Sequence, residues 1–358
     1  MSLLPGYVHK VRIGGTYPGY VSRVRIQGTS IRCCQCCRYN KAMTVPPRAG
    51  DMSAAPLRAG FTPGLAMAVG AVLLWGTQFP VAKSAFGAVD ALHVCLIRYG
   101  VATLLMTGFY LWREGRSAFD YQGRFWLISL IGIVGMCGSP VLVFLGLEVS
   151  APEHAVVIIA LQPSMTALAD WLLRGHRPAN FTLFCVVTAF AGVVAAVTRG
   201  DIGHLFARGE MVGNLLVFTG ALCWVVYTIG SERFRGWSAL RLTTLTLIPG
   251  TLGIVGVTAV AVMLGKSVVP GVAEINSVGW ELLFLSLGGV FLGMIWWNAG
   301  AARIGSLNAM LLLNLVPVMT FAIRYAQGHR FATAELAGGA MVIAALIANN
   351  VYLRLKQR

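Results

Sequence analysis

The chain has 358 residues, of which 57% are hydrophobic and only 11% are charged, and its mean hydropathy is +0.72. Soluble globular domains carry about 25% charged residues. This composition therefore excludes a soluble globular protein and predicts an all-α integral membrane protein. The net charge of +15 is also typical of proteins that bind nucleic acid. Nucleic-acid binding needs a basic groove with stacking aromatic residues on a soluble surface, so we expect none.

The first 60 residues differ from the rest of the chain. Glycine, proline, arginine and tyrosine are scattered there without periodicity, and no apolar stretch is as long as the core of a signal peptide. This pattern predicts a disordered basic tail over residues 1–60. We favour a start of translation at Met43 or Met52, and whether residues 1–51 are made stays open.

Four cysteines stand together in the tail stretch RCCQCCRYN, at Cys33, Cys34, Cys36 and Cys37. Such a cluster can indicate metal binding or palmitoylation. Zinc sites usually pair a C-x2-4-C element with a second pair of ligands at a distance, and no second element precedes the first apolar span. We therefore expect no metal site in the tail.

Ten apolar segments follow, each about as long as the hydrocarbon core of a bilayer requires. They cover residues 64–86, 91–112, 125–147, 153–173, 179–198, 211–232, 242–264, 279–302, 306–327 and 334–353. Most of the 28 lysines and arginines lie in the tail, in the loops after every second span and at the C-terminus. The positive-inside rule therefore predicts a multi-pass protein with both termini in the cytoplasm.

Two stretches of the chain repeat each other. Aligning HAVVIIALQPSMTALADWLLRGHRP, which starts at His154, with NAMLLLNLVPVMTFAIRYAQGHRF, which starts at Asn308, pairs Pro163 with Pro317. The two Gly-His-Arg triplets then align after a slip of one residue. The alignment indicates an internal duplication in which span four corresponds to span nine.

The repeat unit is five spans long, because GAVLLWGTQF around Trp75 in span one also resembles GALCWVVYTI around Trp224 in span six. An odd number of spans makes the second copy cross the membrane in the opposite direction. We therefore predict ten transmembrane helices as two inverted five-helix repeats, over residues 61–200 and 209–355. Inverted repeats are a recurrent architecture of secondary transporters, whose substrate site lies near the membrane midplane.

Several short motifs mark the two repeats. They are Trp75-Gly76 with Lys83 downstream in span one, Arg98 in span two, and Pro163 and Pro317 in the LQP and LVP motifs of the fourth helix of each half. On these residues the chain resembles, over 64–354, the EamA-type transporters of the drug/metabolite transporter superfamily. The resemblance implies ten helices, cytoplasmic termini, a bacterial inner-membrane location and export of small metabolites such as amino acids. The two prolines are the expected helix bends.

The fourth helix of EamA-type repeats usually ends in Gly-Glu-Arg, whereas this chain has Gly-His-Arg in both halves. Glycine permits a left-handed cap, and histidine and arginine suit the negative end of the helix dipole, so a structural role is the simplest interpretation. Because histidine titrates near neutral pH, His176 and His329 are also candidates for gating or proton coupling. Asp170 is a third candidate, and the alternative for it is an ion pair with Arg174, one turn away.

Ionisable residues inside a span are costly in lipid unless they face protein or water. Lys83 and Arg98 both fall in the outer half of consecutive spans, with His93 nearby. Together they are expected to form a positive collar that attracts a carboxylate or a phosphate. The alternative is that the long basic side chains reach the outer headgroups.

A mostly apolar metabolite pocket needs aromatic residues and a few polar groups near mid-depth. The candidates for substrate binding there, in addition to Lys83 and Arg98, are Trp75, Gln78, Trp224, Tyr227 and Asn314. Core packing is the competing interpretation for each aromatic residue.

The sequence contains no Walker A loop, H-E-x-x-H or G-x-S-x-G motif, so we expect no enzyme activity, cofactor or metal. The predicted function is a secondary transporter, an exporter that alternates access to a central cavity between the two repeats. Its expected partners are a small-molecule substrate, a co- or counter-transported proton and membrane lipids. The alternative from another class is a membrane-embedded enzyme acting on a lipid-linked substrate. Substrate, coupling ion, direction and oligomeric state are left open.

Overall fold

The computed structural model describes residues 23–26, 29–32, 57–115, 119–175, 177–201, 208–234, 236–305, 309 and 312–356. It contains two compact units, Met1–Ala55 and Pro56–Arg358. In the first unit, strands β1 (Arg23–Ile26) and β2 (Thr29–Arg32) pair antiparallel. Valine, isoleucine and threonine in these strands favour such pairing. The disordered tail over residues 1–60 stays a prediction. The four tail cysteines and both candidate start methionines lie outside the described residues.

The described regular structure of the second unit is helical. Its α-helices are α1 (Leu57–Ala85), α2 (Ala91–Glu114), α3 (Phe125–Gly132), α4 (Ser139–Val149), α5 (Pro152–Ile159), α6 (Gln162–Arg174), α7 (Asn180–Thr198), α8 (Arg208–Ser231), α9 (Ala239–Met263), α10 (Val272–Ser277), α11 (Gly279–Leu283), α12 (Gly293–Ile304), α13 (Leu315–Ala326) and α14 (Thr333–Lys356). A short 3-10 turn, Glu232–Phe234, follows α8.

Nine helical stretches among the described residues are long and apolar enough to cross a membrane. They are Phe61–Ala85, Ala91–Glu114, Phe125–Val149, Pro152–Arg174, Asn180–Thr198, Glu210–Phe234, Ala239–Met263, Gly279–Ile304 and Thr333–Leu355. Each matches one predicted span. The remaining prediction, 306–327, contains the shorter apolar helix α13, and several residues before α13 lie outside the described part of the chain.

The fourth predicted span is interrupted at mid-length. Helix α5 ends at Ile159 and α6 begins at Gln162, with Pro163 in its first turn. Proline has no backbone N–H to donate, and its ring clashes with the preceding turn, so a continuous helix is broken before it. Helix α13 likewise begins just before Pro317. Both predicted bend residues therefore stand next to a helix start in the middle of their spans.

Two π-helical segments, Ile133–Gly138 and Phe284–Leu292, interrupt the third and eighth predicted spans. Such wide turns are rare and often mark functional sites, because they displace backbone carbonyls from the regular α-helical pattern. Both segments belong to the main hydrophobic core, through Met136 and Leu285. The core therefore contains glycine-rich, irregular backbone from both halves of the chain.

Glycines let three helix pairs approach closely: α4 with α8, α1 with α12, and α7 with α14. A Cβ atom at Gly213 would lie 2.7 Å from the carbonyl oxygen of Gly146, and one at Gly300 would lie 2.7 Å from the backbone nitrogen of Ala68. No Cβ atom fits at such distances, so these crossings require glycine. Small residues serve the same purpose wherever membrane helices pack backbone to backbone.

Side-chain contacts group the helix termini into two ends of the bundle. The start of α5, with Glu153, meets the last turn of α13, with Arg324, and we call this the Glu153 end. The last turn of α6, with Asp170 and Arg174, meets the turn after α8, with Glu232, and we call this the Asp170 end. Because α5 and α6 form one interrupted span, the two ends lie on opposite sides of the bundle.

Candidate functional site

Arg98 on α2 is buried in the interior of the second unit, with 4% of its surface exposed. Its Nη2 donates a hydrogen bond to Gln78 Oε1 on α1 at 2.9 Å. The guanidinium lies 4.5 Å from the ring centroid of Phe144 and 5.3 Å from that of Tyr99. Desolvated cation–π contacts contribute about 2 kcal/mol or more. Arg98 is therefore held by protein and does not extend towards lipid headgroups.

Arg98 also carries donors that the protein does not use. Its Nε and Nη1 atoms are buried and have no hydrogen-bond partner among the described residues, and none of the described ion pairs involves it. A buried charge without a counter-charge costs several kcal/mol. The arrangement therefore favours binding of an anion at Arg98.

Trp75 connects α1 to the second π-helical segment. Its Nε1 donates a hydrogen bond to the carbonyl oxygen of Gly289 at 2.9 Å, and its ring centroid lies 5.3 Å from that of Trp297. A Cβ atom at Gly293 would lie 2.6 Å from Trp75 Nε1, and one at Gly289 would lie 3.4 Å from Gln78 Oε1. Gly289 in this segment and Gly293 at the start of α12 therefore provide the space that Trp75 and Gln78 occupy.

Three predicted binding residues, Trp75, Gln78 and Arg98, are thus brought together, and with Gly289 we call them the central cluster. Asn314, a fourth predicted residue, is buried directly before α13, at the interruption of the ninth predicted span. The cluster combines a cation, an amide and an aromatic ring in an apolar interior. Such a combination suits a small amphipathic anion.

Trp224 and Tyr227 lie side by side on α8, with ring centroids 5.1 Å apart. A Cβ atom at Gly135, in the first π-helical segment, would lie 2.5 Å from the Tyr227 ring. Tyr227 thus packs against the first π-helical segment much as Trp75 packs against the second. The two halves present an aromatic side chain to irregular backbone at related places.

Lys83, at the end of α1, has partners other than the central cluster. Its Nζ donates hydrogen bonds to the carbonyl oxygens of Leu147, Glu148 and Ser150 at 2.8–2.9 Å. These carbonyls lie at and just after the end of α4, where a helix has no backbone partners for them. Lys83 therefore caps α4 in this structure.

Asp90 caps α2 and binds the third member of the predicted collar. Its Oδ1 accepts from the His93 backbone N–H at 2.9 Å, and its Oδ2 accepts from Ser267 Oγ at 2.7 Å and lies 2.9 Å from His93 Nδ1. Burial raises the pKa of Asp90, but the hydrogen bonds from His93 and Ser267 outweigh burial and hold that pKa below its ordinary value. Lys83, His93 and Arg98 therefore each have separate partners in the described structure.

Replacing Asp90 with alanine is expected to destabilise the protein by about 1 kcal/mol, the usual cost of losing an N-cap. Because the pKa of Asp90 is lowered on folding, its contribution is present above about pH 4 and is lost as the pH falls through the folded value. The melting temperature of the wild type in mild detergent should therefore fall more steeply below about pH 4 than that of Asp90→Ala. Parallel pH profiles would contradict this assignment.

Glu153, in the first turn of α5, is almost fully buried, with 1% of its surface exposed. Its Oε2 accepts a hydrogen bond from Arg324 Nε at 3.1 Å, and its Oε1 lies 3.1 Å from His329 Nε2. The His329 ring in turn packs on Phe331, with ring centroids 4.7 Å apart. The predicted coupling residue His329 is thus in contact with a buried carboxylate.

Glu335, in the first turn of α14, is a second buried carboxylate, with 2% of its surface exposed. Its Oε1 accepts from Arg199 Nε at 2.9 Å and lies 3.5 Å from His154 Nε2, while its Oε2 accepts from the Ala332 N–H at 2.7 Å. We call the six ionisable residues of this end the gate network. They are Glu153, His154, Arg199, Arg324, His329 and Glu335.

The Asp170 end contains a more exposed set of charges. Asp170 pairs with Arg174 at 2.9 Å, and Arg174 pairs with Glu232 at 2.9 Å, with 31–39% of these side chains exposed. The ion pair expected as the alternative for Asp170 is therefore present. Gly175 follows α6 with φ 73°, which confirms the left-handed cap. The predicted coupling residue His176 lies outside the described residues.

Five members of the gate network were not predicted as site residues from the sequence: Glu153, His154, Arg199, Arg324 and Glu335. Acidic residues in the first turn of a helix normally complement the helix dipole and stay hydrated, so Glu153 and Glu335 gave no sign of burial. One available signal was their place at the very start of apolar spans. A carboxylate followed directly by a long apolar run has little room to remain in water.

Long apolar helices, interrupted spans and buried ionisable groups define a multi-pass membrane protein. The profile of the EamA-like transporter family matches the chain twice, over residues 62–198 and 211–351. The chain therefore belongs to the EamA-like transporter family, and the resemblance noted in the sequence is confirmed.

Curated relatives of the chain are named as transporters. The chain is 34% identical over 290 residues to the uncharacterized transporter YrdR of Bacillus subtilis (strain 168), an alignment that covers 79% of this chain and 90% of YrdR. It is 25% identical over 286 residues to the aromatic amino acid exporter YddG of Ancylobacter novellus, covering 76% and 93% of the two chains. A solved structure with 21% identity matches with a TM-score of 0.59 over 84% of this chain and 99% of its own, so the fold is similar.

Proposed function

We propose that the protein is a secondary transporter that exports small metabolites such as amino acids by alternating access and carries out no chemical step. The observation that carries this proposal is the buried guanidinium of Arg98, with two unused donor atoms, beside Trp75 and irregular backbone. A relative named as an aromatic amino acid exporter supports amino acids as the substrate class.

The proposed architecture is ten membrane helices in two inverted five-helix repeats, over residues 61–200 and 209–355. The helix contacts support it: α1 packs on α12 and α13, while α8 packs on α4 and α6. Span one thus contacts spans eight and nine, and span six contacts spans three and four. The two sets of contacts are equivalent if spans one to five correspond to spans six to ten. Interrupted helices and π-helical segments in both halves fit the discontinuous helices that line transporter sites.

The proposed orientation has both termini in the cytoplasm of a bacterial inner membrane, so the Glu153 end faces outward and the Asp170 end faces the cytoplasm. The concentration of lysine and arginine in the loops of the Asp170 end supports this orientation. Large apolar side chains on the bundle surface, such as Leu104 and Leu172 at 75% and 84% exposed, support lipids as the surrounding partners.

In the proposed site, the carboxylate of the substrate binds the free donors of Arg98 through charge-assisted hydrogen bonds. The remaining contacts to the apolar and polar parts of the substrate come from Trp75, Gln78, Trp224, Tyr227 and Asn314. A proton is the proposed co- or counter-transported ion. Of Asp170, His176 and His329, the contact with Glu153 supports His329 most directly.

Flux through purified protein in liposomes tests this function. A panel of labelled amino acids and other metabolites is offered with and without a pH gradient, and the recovered solute is examined for chemical change. Arg98→Gln is compared with the wild type and with Arg303→Gln, which removes an exposed arginine elsewhere. Loss of charged hydrogen bonds to substrate is expected to lower kcat/KM roughly 10- to 100-fold in Arg98→Gln and to leave Arg303→Gln unchanged.

Three other outcomes would contradict the proposal. No saturable flux for any solute, with the protein monodisperse, would exclude the amino-acid class. A chemically altered product would favour the membrane-embedded enzyme. Competition by amino acid amides as strong as that by the parent amino acids would contradict carboxylate binding at Arg98.

A further inference from the structure

The gate network joins the two halves of the chain. Glu153 belongs to the first half, and its ionic contacts are with α13 and the loop after it, in the second half. Glu335 belongs to the second half, and its ionic contacts are with α5 and the residue after α7, in the first half. Each buried carboxylate is therefore paired across the halves. Separation of the halves at this end has to break both sets of contacts.

The opposite end joins the halves through more exposed contacts, among them hydrogen bonds from Arg124 to Arg233, from Trp237 to Gln122, from Ser238 to Glu114 and from Arg241 to Asp120. Its ion pair between the halves, Arg174 with Glu232, has more than a third of each side chain exposed, and exposed pairs of this kind contribute little to stability. Removing one partner of a buried charged pair has a far larger effect, because the remaining charge stays in a medium of low polarity. The buried charges that join the two halves therefore lie at the Glu153 end.

We propose that Glu153 and Glu335 form a proton-operated outer gate, closed while both carboxylates are ionised and opened when protons from outside neutralise them. The inference rests on the proposed function, since an outer gate has a task only in a transporter. A proton on Glu153 leaves Arg324 without its counter-charge, and a proton on Glu335 does the same to Arg199. Neutralising the carboxylates therefore removes the ion pairs that hold the closed state together, so acidification shifts the population towards the open state.

Two histidines also belong to the gate, and a proton has a different effect on each. His154 lies against Glu335, and the Nδ1 of His329 lies 3.4 Å from Arg324 Nη2. A proton on His154 strengthens its contact with Glu335, whereas a proton on Nδ1 of His329 removes the acceptor that faces Arg324. Charges on neighbouring elements of the described structure include Lys83 on α1 and, acting on it, Glu148 and Glu210.

A metal ion is a less suitable ligand for the same place. Glu153, His329 and Glu335 bring ligand atoms within 4.8 Å of one another, a spacing that a divalent cation can use. The guanidiniums of Arg199 and Arg324 already neutralise the two carboxylates. A cation would have to displace both before it could bind, so the charge balance favours a proton.

The gate is tested by the accessibility of a cysteine beneath it. Val157, 1% exposed and one turn along α5 from Glu153, is replaced by cysteine in a full chain whose eight native cysteines are changed to alanine. Intact cells are treated with a membrane-impermeant maleimide between about pH 8 and about pH 4, a range that reaches the ordinary pKa of a glutamate, about 4.3. Val268→Cys, at an 80% exposed position of the same end, corrects for the pH dependence of the thiol reaction. Ala155→Cys, 0% exposed, is a second reporter in case the first does not fold.

The corrected labelling rate of the buried cysteine is expected to rise about tenfold or more on acidification. Glu153→Gln, which imitates the protonated carboxyl group, should give the high rate already at about pH 8 and remove the pH dependence. Glu232→Gln is the matched control, the same substitution at the Asp170 end, and should behave like the wild type.

A rate that neither pH nor Glu153→Gln changes, in folded protein, would overturn the gate. An unlabelled Val268→Cys would overturn its position on the outer side. Because this measurement needs no substrate, a responsive gate in a protein that carries none of the tested solutes would overturn the proposed substrate class alone. Flux without any change in accessibility would overturn the gate alone.

Discussion

Gly338→Ala is expected to destabilise the folded protein by about 3 kcal/mol or more, or to prevent its accumulation. Gly338 lies where α14 crosses α7, and a Cβ atom there would overlap the carbonyl oxygen of Gly192 and lie 2.5 Å from the backbone nitrogen of Ala196. These are backbone atoms, so relief requires a shift of a whole helix. Unfolding of purified protein in mild detergent, followed by tryptophan fluorescence, measures the effect.

Gly108→Ala is the matched control for this prediction. Gly108 lies in α2, and nothing stands within 4 Å of the position that its Cβ atom would occupy. Alanine is favoured over glycine in a helix by up to about 1 kcal/mol, so this substitution should be neutral or slightly stabilising. Equal losses of stability in the two variants would show that the crossing of α7 and α14 is not tight.

Hydropathy predicted ten spans, and nine of them match described helices of 19 to 26 residues, because apolar runs of this length are needed to cross a bilayer and are rare in soluble proteins. The ninth predicted span shows the limit of that reasoning. Its described long helix is only Leu315–Ala326, since a window average passes over the interruption that precedes Pro317. The π-helical segments were equally hidden, because glycine content indicates close packing but not which hydrogen-bond pattern the backbone adopts.

Candidate site residues could be named from the sequence, but the sequence did not indicate which of them contact one another. Gln78 and Arg98 were recognisable because polar groups inside apolar spans are energetically costly unless they face protein or water. Their hydrogen bond, and the separation of Lys83 from them, depend on how α1, α2 and α4 pack. The contacts of the gate network could not be predicted from the sequence, because Glu153 and Arg324 are 171 residues apart in the chain. Charged residues such as these are common at helix ends.

Lys83→Met is expected to lower stability by about 2 kcal/mol and to leave the KM of the folded transporter unchanged. The Lys83 ammonium group serves three carbonyl oxygens, those of Leu147, Glu148 and Ser150, and complements the negative end of the α4 dipole. Methionine keeps the length of the stem but cannot donate, so those carbonyls lose their partner. The expected loss is smaller than the combined stabilisation from three fully buried charged hydrogen bonds, because the ammonium group is only half-buried.

Melting temperature and KM together separate the two roles open to Lys83. A helix cap predicts a lower melting temperature with unchanged KM, and Lys83→Arg, which keeps charge and donors, should recover most of the loss. A collar that attracts the substrate predicts the reverse, a KM raised by about tenfold with the melting temperature intact. The cap has a further consequence, because Ser150 lies only three residues before Glu153. Loss of the Lys83 contacts loosens the connection that positions the first gate carboxylate, so Lys83→Met should also raise the labelling rate of the Val157→Cys reporter.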